Sequence, residues 1–506
     1  MSEHTNDTAI PSYRRPELLA VTADLELMSD LLAGTRRMWE KASLYIRKWA
    51  DEEDAVYLIR SKCEQVFEGV GRTLSAAVGM LFAREPGIEW NAGEVEMREH
   101  WKNIDGAGTK GHVFVKRFSE TSMRDGVGLI FVDNAPRPID PETKKPIVVT
   151  ADNEVELGLR PTWSAYPRQN ILSWRTDKVN NQHQFTQVVL WEPTQINTGL
   201  FGVETVNRYR VLQLVEGQAT WVLWERKDGK ASQPDIFVIL LAGIFKNSKG
   251  QAATKLPVTV AHTGRMDKML VASVPLMGVA WANLGHWQQA SNLRFYRDLA
   301  AFPQPTIIGE LVSAAVPEGL PAPAKVKLGP LVTVHLKGEG ASFGYTAPPS
   351  EGFAPVKEGV EEKLQAMAVL GMSFLASDTS RQRETAEAKR LDATAENATL
   401  ATAAQGIDDA INGAYKIHAW YLGIAEEEAP VFTLNRDFES TAMDPQTMQA
   451  YVQAVKDAGL PPRLLLEAWQ KGGRIPPDTD LDELEAEMFA NQAAIEEDAG
   501  LDLDAA

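Results

Sequence analysis

Three long helical patterns in the second half of the chain constrain its fold more than any other feature. The first starts near Pro275 and runs to Phe302, where two prolines end it. The second runs from about Val356 to Leu375, and the third, of about 40 residues, runs from Glu384 to Gly423. Such helices, separated by turn-rich and polar segments, are an unusual layout for a compact monomer. We therefore expect their apolar stripes to be buried between copies of the chain.

The first of these helices carries an apolar stripe at helical spacing. The sequence predicts that this stripe packs the helix against its neighbours through Trp281, Leu284, Trp287, Phe295 and Leu299. The Pro- and Gly-rich segment 303–350 follows the helix, and two short strands are predicted within it, at Thr306–Ile308 and Leu331–His335.

The first half of the chain combines helices and strands. Residues 17–82 have a helical pattern, and short polar helices with a glycine loop follow over residues 88–125. Strands are then predicted at Gly126–Asp133, Pro161–Tyr166, Ile171–Arg175, Phe185–Glu192, Thr205–Val215, Ala219–Glu225 and Ile236–Leu241. The short turns between the later strands predict an antiparallel meander, so the fold class is α+β.

Composition excludes several classes of protein. The chain has 506 residues with 51 basic and 69 acidic side chains, a net charge of −18. Tight binding of DNA needs clustered Lys and Arg, so strong adhesion to DNA is not expected. No run of 18 apolar residues occurs, and we expect no transmembrane helix, no secretory signal and no membrane partner. The single cysteine, Cys63, excludes an internal disulfide and a multi-cysteine zinc site, and it favours synthesis in a reducing cytosol.

No motif predicts catalysis, a metal or a cofactor. Gly106, Gly108 and Gly111 match the spacing of a dinucleotide fingerprint, but a polar helical pattern precedes them where a buried strand is required. His112 and Val113 occupy the positions at which a P-loop needs Lys and then Ser or Thr. We therefore expect a flexible loop at residues 105–111. The eight histidines show no metal-ligand spacing, and no G-x-S-x-G elbow is present.

A series of short motifs occurs in order along most of residues 17–425. They are Tyr57–Arg60, Leu81–Pro86, Gly126–Asp133, Arg160–Pro161, Tyr166, Asn170–Ile171, Trp174–Arg175, Pro275–Leu276, Asn283–Leu284, His286–Gln288, Ser291, Pro303–Thr306, Leu328–Pro330, Leu370–Gly371, Thr385–Ala386, Trp420 and Gly423. Their order and spacing resemble those of the portal proteins of tailed bacteriophages. More narrowly, they resemble a subfamily often catalogued only as a domain of unknown function.

This resemblance implies a portal fold that assembles into a ring, usually a dodecamer, around a DNA channel. The implied parts are an N-terminal tail (1–16), an α/β wing (17–270), a first stem helix (271–302), a small α/β clip (303–350), a second stem helix (351–375), a tunnel loop (376–384), a long wing helix with its return (385–436), and a helical crown with an acidic C-terminal tail (437–506).

The resemblance also implies a function without enzymatic chemistry. The ring would occupy one vertex of the virion capsid, after assembly in the host cytoplasm, as the head–tail connector through which double-stranded DNA is packaged and ejected. The implied partners are the terminase large subunit, then a head-completion or tail adaptor protein, the major capsid protein and, as an optional partner, a scaffold protein. The ATPase belongs to the terminase, which agrees with the missing P-loop lysine.

The tunnel loop is the implied DNA-facing element. Its residues are Ser377, Asp378, Thr379, Ser380, Arg381, Gln382 and Arg383. The two arginines either contact passing phosphates or pair with nearby carboxylates on an ordinary polar loop. Two other functions stay open for the whole chain. One is an acidic, Trp-rich glycoside hydrolase, which would need two close carboxylates in a cleft. The other is a different minor head protein of a virion.

Overall fold

The computed structural model describes residues 8–91, 94–134, 159–179, 181–227, 236–301, 304–311, 336–346, 352–371 and 386–436, with shorter stretches between 453 and 488. The chain divides into two compact units, residues 1–436 and 437–506. Within the second unit, a helix at Pro462–Lys471 buries Leu465 and Leu466, and Arg463 pairs with Asp482.

Helices form most of the N-terminal part. They are α1 (Pro16–Ala33), α2 (Thr35–Glu40), α3 (Ala42–Tyr45), α4 (Asp54–Lys62) and α5 (Gly69–Leu81), followed by strand β1 (Gly87–Glu89) and helices α6 (Glu94–Trp101) and α7 (Gly111–Asp125). The helical pattern predicted over residues 17–82 is therefore confirmed, but as five shorter helices. Gly34, with φ of +83°, separates the first two, because that conformation is unfavourable for other residues.

The glycine loop before α7 is a braced turn. Oδ1 of Asp105 accepts hydrogen bonds from the backbone N–H groups of Ala107 and Thr109, and Oδ1 of Asn103 accepts one from Gly108. The loop follows a helix, so its context is not that of a nucleotide-binding loop. The prediction of a loop is confirmed, while the expected flexibility gives way to a turn held by its own side chains.

Two antiparallel sheets form the centre of the first unit. Their strands are β2 (Val127–Asn134), β3 (Pro161–Pro167), β4 (Ile171–Val179), β5 (Gln182–Thr198), β6 (Gly202–Val215), β7 (Gln218–Lys227), β8 (Ile236–Ile244) and β9 (Val258–His262). The first sheet has the order β3-β2-β9, and the second runs in chain order from β4 to β8. The second sheet confirms the predicted meander.

The C-terminal part of this unit contains the three long helices. In chain order it consists of β10 (Met266–Lys268), β11 (Val271–Ala272), α8 (Met277–Ala301), β12 (Gln304–Leu311), β13 (Leu336–Thr346), α9 (Phe353–Leu370), α10 (Ala386–Leu422) and β14 (Val431–Thr433). The predicted strand at Leu331–His335 and the predicted tunnel loop lie outside the described residues. None of the helices described here combines the length and apolar character needed to cross a bilayer.

The hydrophobic core is largely completed within one chain. It joins α1, α2, the meander and the N-terminal half of α8, from which Val279, Ala280, Leu284 and Trp287 are buried. Helix α10 packs across the three-stranded sheet. A Cβ at Gly406 would lie 2.2 Å from the carbonyl oxygen of His262, so only glycine permits this approach. The expectation that the long helices need other copies to bury their apolar stripes is therefore wrong for this half of α8.

Candidate functional site

Helices α8 and α9 form a close antiparallel pair that carries a β-hairpin at one end. Gly278 faces Leu370, and Gly285 faces the aliphatic part of Lys363. A Cβ at Gly359 would lie 2.8 Å from Oε1 of Gln289, so a side chain there would displace the Gln289 amide. The hairpin pairs β12 with β13, from Gln304 opposite Thr346 to Leu311 opposite Leu336.

Polar side chains anchor the N-terminal half of α8 to the connection between α4 and α5. Nδ2 of Asn283 donates to the carbonyl of Phe67, and its Oδ1 accepts from the N–H of Val70. Nε1 of Trp287 donates to the carbonyl of Glu64 over 3.1 Å. These bonds satisfy backbone groups that α4 and α5 leave open at their ends, so the helix is fixed in register as well as in position.

A buried arginine extends this anchor along α8. Nε and Nη2 of Arg60 donate to the two carboxylate oxygens of Glu52 at 2.7 and 2.8 Å, and Nη1 donates to Oδ1 of Asn292. The Arg60 and Glu52 side chains are only 2% and 3% exposed. The guanidinium also lies 3.8 Å from the ring centroid of Trp49, whose ring stacks on Tyr296. Its hydrogen bonds lower the pKa of Glu52, so the pair stays ionised at neutral pH.

The predicted stripe on α8 is divided between interior and surface. Leu284 and Trp287 are buried, and Phe295 is half-buried against the edge of Trp49, while Leu299 is half-buried. Trp281 is 56% exposed. Helical spacing predicted that the five residues lie on one broad side of the helix. The elements that pack against this side do not cover Trp281.

The outward side of α9 is apolar at one end and acidic along its middle. Val369 is exposed at that end, and Leu370, which faces Gly278 of α8, is partly exposed beside it. Farther along the helix, the exposed carboxylates are Glu358, Glu361 and Glu362. In one copy of the chain, this side of the helix pair faces solvent.

The buried carboxylates do not form a recognisable catalytic pair. Asp133 and Glu192 both contact Arg210, at 3.5 and 2.6 Å, and Tyr166 donates its hydroxyl to Glu192. Burial raises the pKa of Asp133 to about 6, against the effect of Arg210. Two open clefts of about 740 and 780 Å³ are lined by other residues. Among the described residues no group of three potential metal ligands is found. Asp133 and Glu192 have a structural explanation, because Arg210 holds both carboxylates together.

A second buried cluster joins α6 to α10 through two histidines. Nδ1 of His100 lies 2.9 Å from Nε2 of His418, whose Nδ1 accepts a hydrogen bond from Nε1 of Trp163. His418 therefore carries its proton on Nε2 and donates it to His100. Burial, assisted by Arg160, lowers the pKa of His100 to about 4, and burial lowers that of His418 further. The sequence did not suggest this pair, because 318 positions separate its members.

These histidines predict a loss of stability in mild acid. The unfolded chain takes up protons below about pH 6.5, whereas burial keeps His100 neutral in the folded chain until about pH 4 and lowers the pKa of His418 as well. Stability is thus complete above pH 6.5 and falls as the pH is lowered towards 4. We expect His100→Gln to lose less stability than the natural chain when urea unfolding is compared at pH 7 and pH 5. His112→Gln, at an exposed position, is the control. An equal loss in all three proteins would contradict the assignment.

A comparison with known protein families finds a match in the part of the chain that contains α8 and α9. Residues 275–422 match the family described as a domain of unknown function, DUF4055. The matched segment is α8 to α10. It contains the motifs from Pro275–Leu276 to Trp420 of the series described in the sequence. No curated protein matches the chain.

Two solved structures show a distant similarity to the chain. One chain, from the virion of a native gene transfer agent particle, is 12% identical, with 82% of this chain and 91% of that chain covered and a TM-score of 0.35. Another, from the neck of an empty gene transfer agent particle, is 13% identical, with 83% and 93% covered and a TM-score of 0.34. The chain is a mixed helix-and-sheet protein with this degree of similarity to gene transfer agent virion and neck chains.

Proposed function

We propose that the chain is the subunit of a phage-type portal, a ring that conducts double-stranded DNA into and out of a capsid without chemistry of its own. The supporting observation is the pair α8 and α9, which carries a β-hairpin at one end and is anchored by half of one helix to the chain's own core. In this proposal the pair is the stem and the hairpin is the clip. The sequence motifs that resemble portal proteins cover the same segments.

The electrostatics suit passage of DNA better than adhesion to it. The chain carries −18, and the exposed middle of α9 presents three carboxylates, of which Glu361 is paired with Lys357 of the same helix. A channel lined in this way repels phosphates, so a duplex slides with little resistance. Contact with the duplex is left to the tunnel loop, Ser377–Arg383, through Arg381 and Arg383.

The hairpin has the surface expected of a docking site. Ile308 is exposed on β12, and Tyr345 is exposed on β13 with its ring 5.3 Å from that of Phe343. Exposed aromatic side chains of this kind are enriched at protein interfaces. We assign this surface to the terminase large subunit during packaging and to an adaptor protein afterwards. The capsid and scaffold proteins would contact the wing.

Imaging of the purified full-length chain tests the proposal. We expect closed rings with a central hole wide enough for B-form DNA. Light scattering is expected to give about 670 kDa for a twelve-subunit ring of the 55.7 kDa chain. A uniform monomer at micromolar concentration, or a ring too narrow for a duplex, would exclude a portal. A monomer that hydrolyses carbohydrate would favour the glycosidase, and incorporation into heads away from the vertex would favour another minor head protein.

A further inference from the structure

Strands β5 and β6 extend beyond the rest of the meander as a projecting arm, residues 193–207. Strand β4 pairs with β5 only as far as Leu190, and β7 pairs with β6 only from Arg208 onwards. Beyond these points, among the strands that the structure describes, β5 and β6 pair only with each other, from Pro193 opposite Asn207 to Thr198 opposite Gly202. The arm is about 20 Å long. A two-stranded ribbon of this kind is marginally stable alone in water, so a partner is expected.

The tip of the arm presents two large apolar side chains to solvent. Leu200 is 87% exposed and Phe201 is 91% exposed. Glycines fix the turn around them: Gly199 has φ of +68°, and a Cβ at Gly202 would lie 2.4 Å from the carbonyl oxygen of Thr198. Turn tips are ordinarily polar, so this pair of apolar residues between conformationally required glycines marks a contact surface.

A second apolar surface lies at the edge of the same sheet. Strand β8 is the last strand, and no described strand pairs with its outer side. It contains no charged residue, and its exposed side chains are Ile236, Val238, Ile239, Leu240, Leu241 and Ile244. Proteins ordinarily protect such an edge with charged residues or proline, or cover it. An edge without either protection is expected to be covered in the assembled protein.

We infer that the tip of the arm in one copy packs against β8 of the next copy. This inference rests on the proposed ring and names surfaces that hold its subunits together. Two copies of an acidic chain repel each other over most of their surface. The arm and β8 are the exception, because they are nearly free of charge. Glu204 is the sole charged residue in the arm. A contact between different surfaces of identical chains runs head to tail, and such contacts form a ring when the rotation between neighbours closes and an open filament when it does not.

Exposed variants of the two surfaces test the inference. Leu200→Ser with Phe201→Ser, and separately Ile239→Lys, are expected to raise the concentration needed for half-assembly at least about tenfold, because burial of one such side chain contributes that much. Leu44→Ser and Val95→Lys are the controls, since both residues are exposed on helices elsewhere. Circular dichroism of all variants should be unchanged. Assembly of the tip and edge variants at the natural concentration would overturn the inference.

Cross-linking identifies the partner of the tip. A chain with Phe201→Cys and Ile239→Cys should give, on oxidation, a ladder of covalent oligomers, while Phe201→Cys alone should give none. The natural chain, with its half-buried Cys63, is the background control. Cross-links from Phe201→Cys alone would show tip-to-tip contact and overturn the inference. Rings without a ladder from the double variant would overturn it too, yet leave the portal proposal intact. Absence of rings in the natural chain would overturn both.

Discussion

Arg60→Met is expected to destabilise the folded chain by about 3 kcal/mol, because it leaves the buried Glu52 carboxylate without its cationic partner and with only the backbone N–H of Trp49 as a described donor. Arg60 also bonds to Asn292 and to the carbonyl of Arg47, so α8 loses one of its attachments to the N-terminal helices. Urea unfolding followed by tryptophan fluorescence measures the effect as a lower midpoint.

A double variant and an exposed pair sharpen this test. Arg60→Met combined with Glu52→Gln should recover part of the loss, since no charge is then left buried. Lys48 and Asp54 form an ion pair of 2.6 Å at the surface, and Lys48→Met should change the midpoint little. Equal effects of Arg60→Met and Lys48→Met on the midpoint would show that the buried ion pair contributes no more to stability than the exposed one.

Trp287→Ala is expected to cost about 3–5 kcal/mol, because it removes a fully buried indole from the core where α8 meets α1 and α5. The substitution also removes the hydrogen bond to Glu64. Trp287→Phe keeps most of the volume and loses the bond, so it should cost less. The unfolding midpoint in urea is again the measurement.

Trp281 provides the matched control on the same helix. Its side chain is mostly exposed in one copy, so Trp281→Ala should leave the unfolding of an isolated chain nearly unchanged. In the proposed ring, the same substitution should weaken assembly, since Trp281 is a large apolar side chain that a single copy leaves exposed. If Trp281→Ala destabilised the chain as much as Trp287→Ala, the assignment of Trp281 to the surface and of Trp287 to the core would be wrong.

Local patterns predicted most of the elements. The meander follows from short apolar runs separated by turn residues, such as the turn at Glu216 and Gly217, where both residues have positive φ. The bounds of α8, α9 and α10 differ from the predicted ones by a few residues, because prolines and glycines mark their ends. Strands β9 and β13 were both missed; in β13, Leu336–Thr346, three glycines interrupt the apolar pattern.

The contacts that fix the helix pair were not predictable in the same way. Arg60 and Glu52 look like an ordinary surface pair in the sequence, and only the chain's long-range packing places α8 over them. Trp281 and Trp287 have the same chemistry and neighbouring positions, yet one lies in the core and the other does not. Periodicity gives the side of a helix on which a residue lies, but the neighbour of that side is set by residues far away in the sequence.

The attachment of α8 has a mechanical consequence. A helix of 25 residues is a stiff rod of about 37 Å, fixed at one end by Asn283 and Trp287 and joined at the other to the hairpin. A load applied to β12 and β13 is therefore carried along the rod to the backbone between Glu64 and Val70. Strain from cargo or from an attached machine would reach the body of the subunit there and at Arg60, which bonds to Asn292 on the same helix.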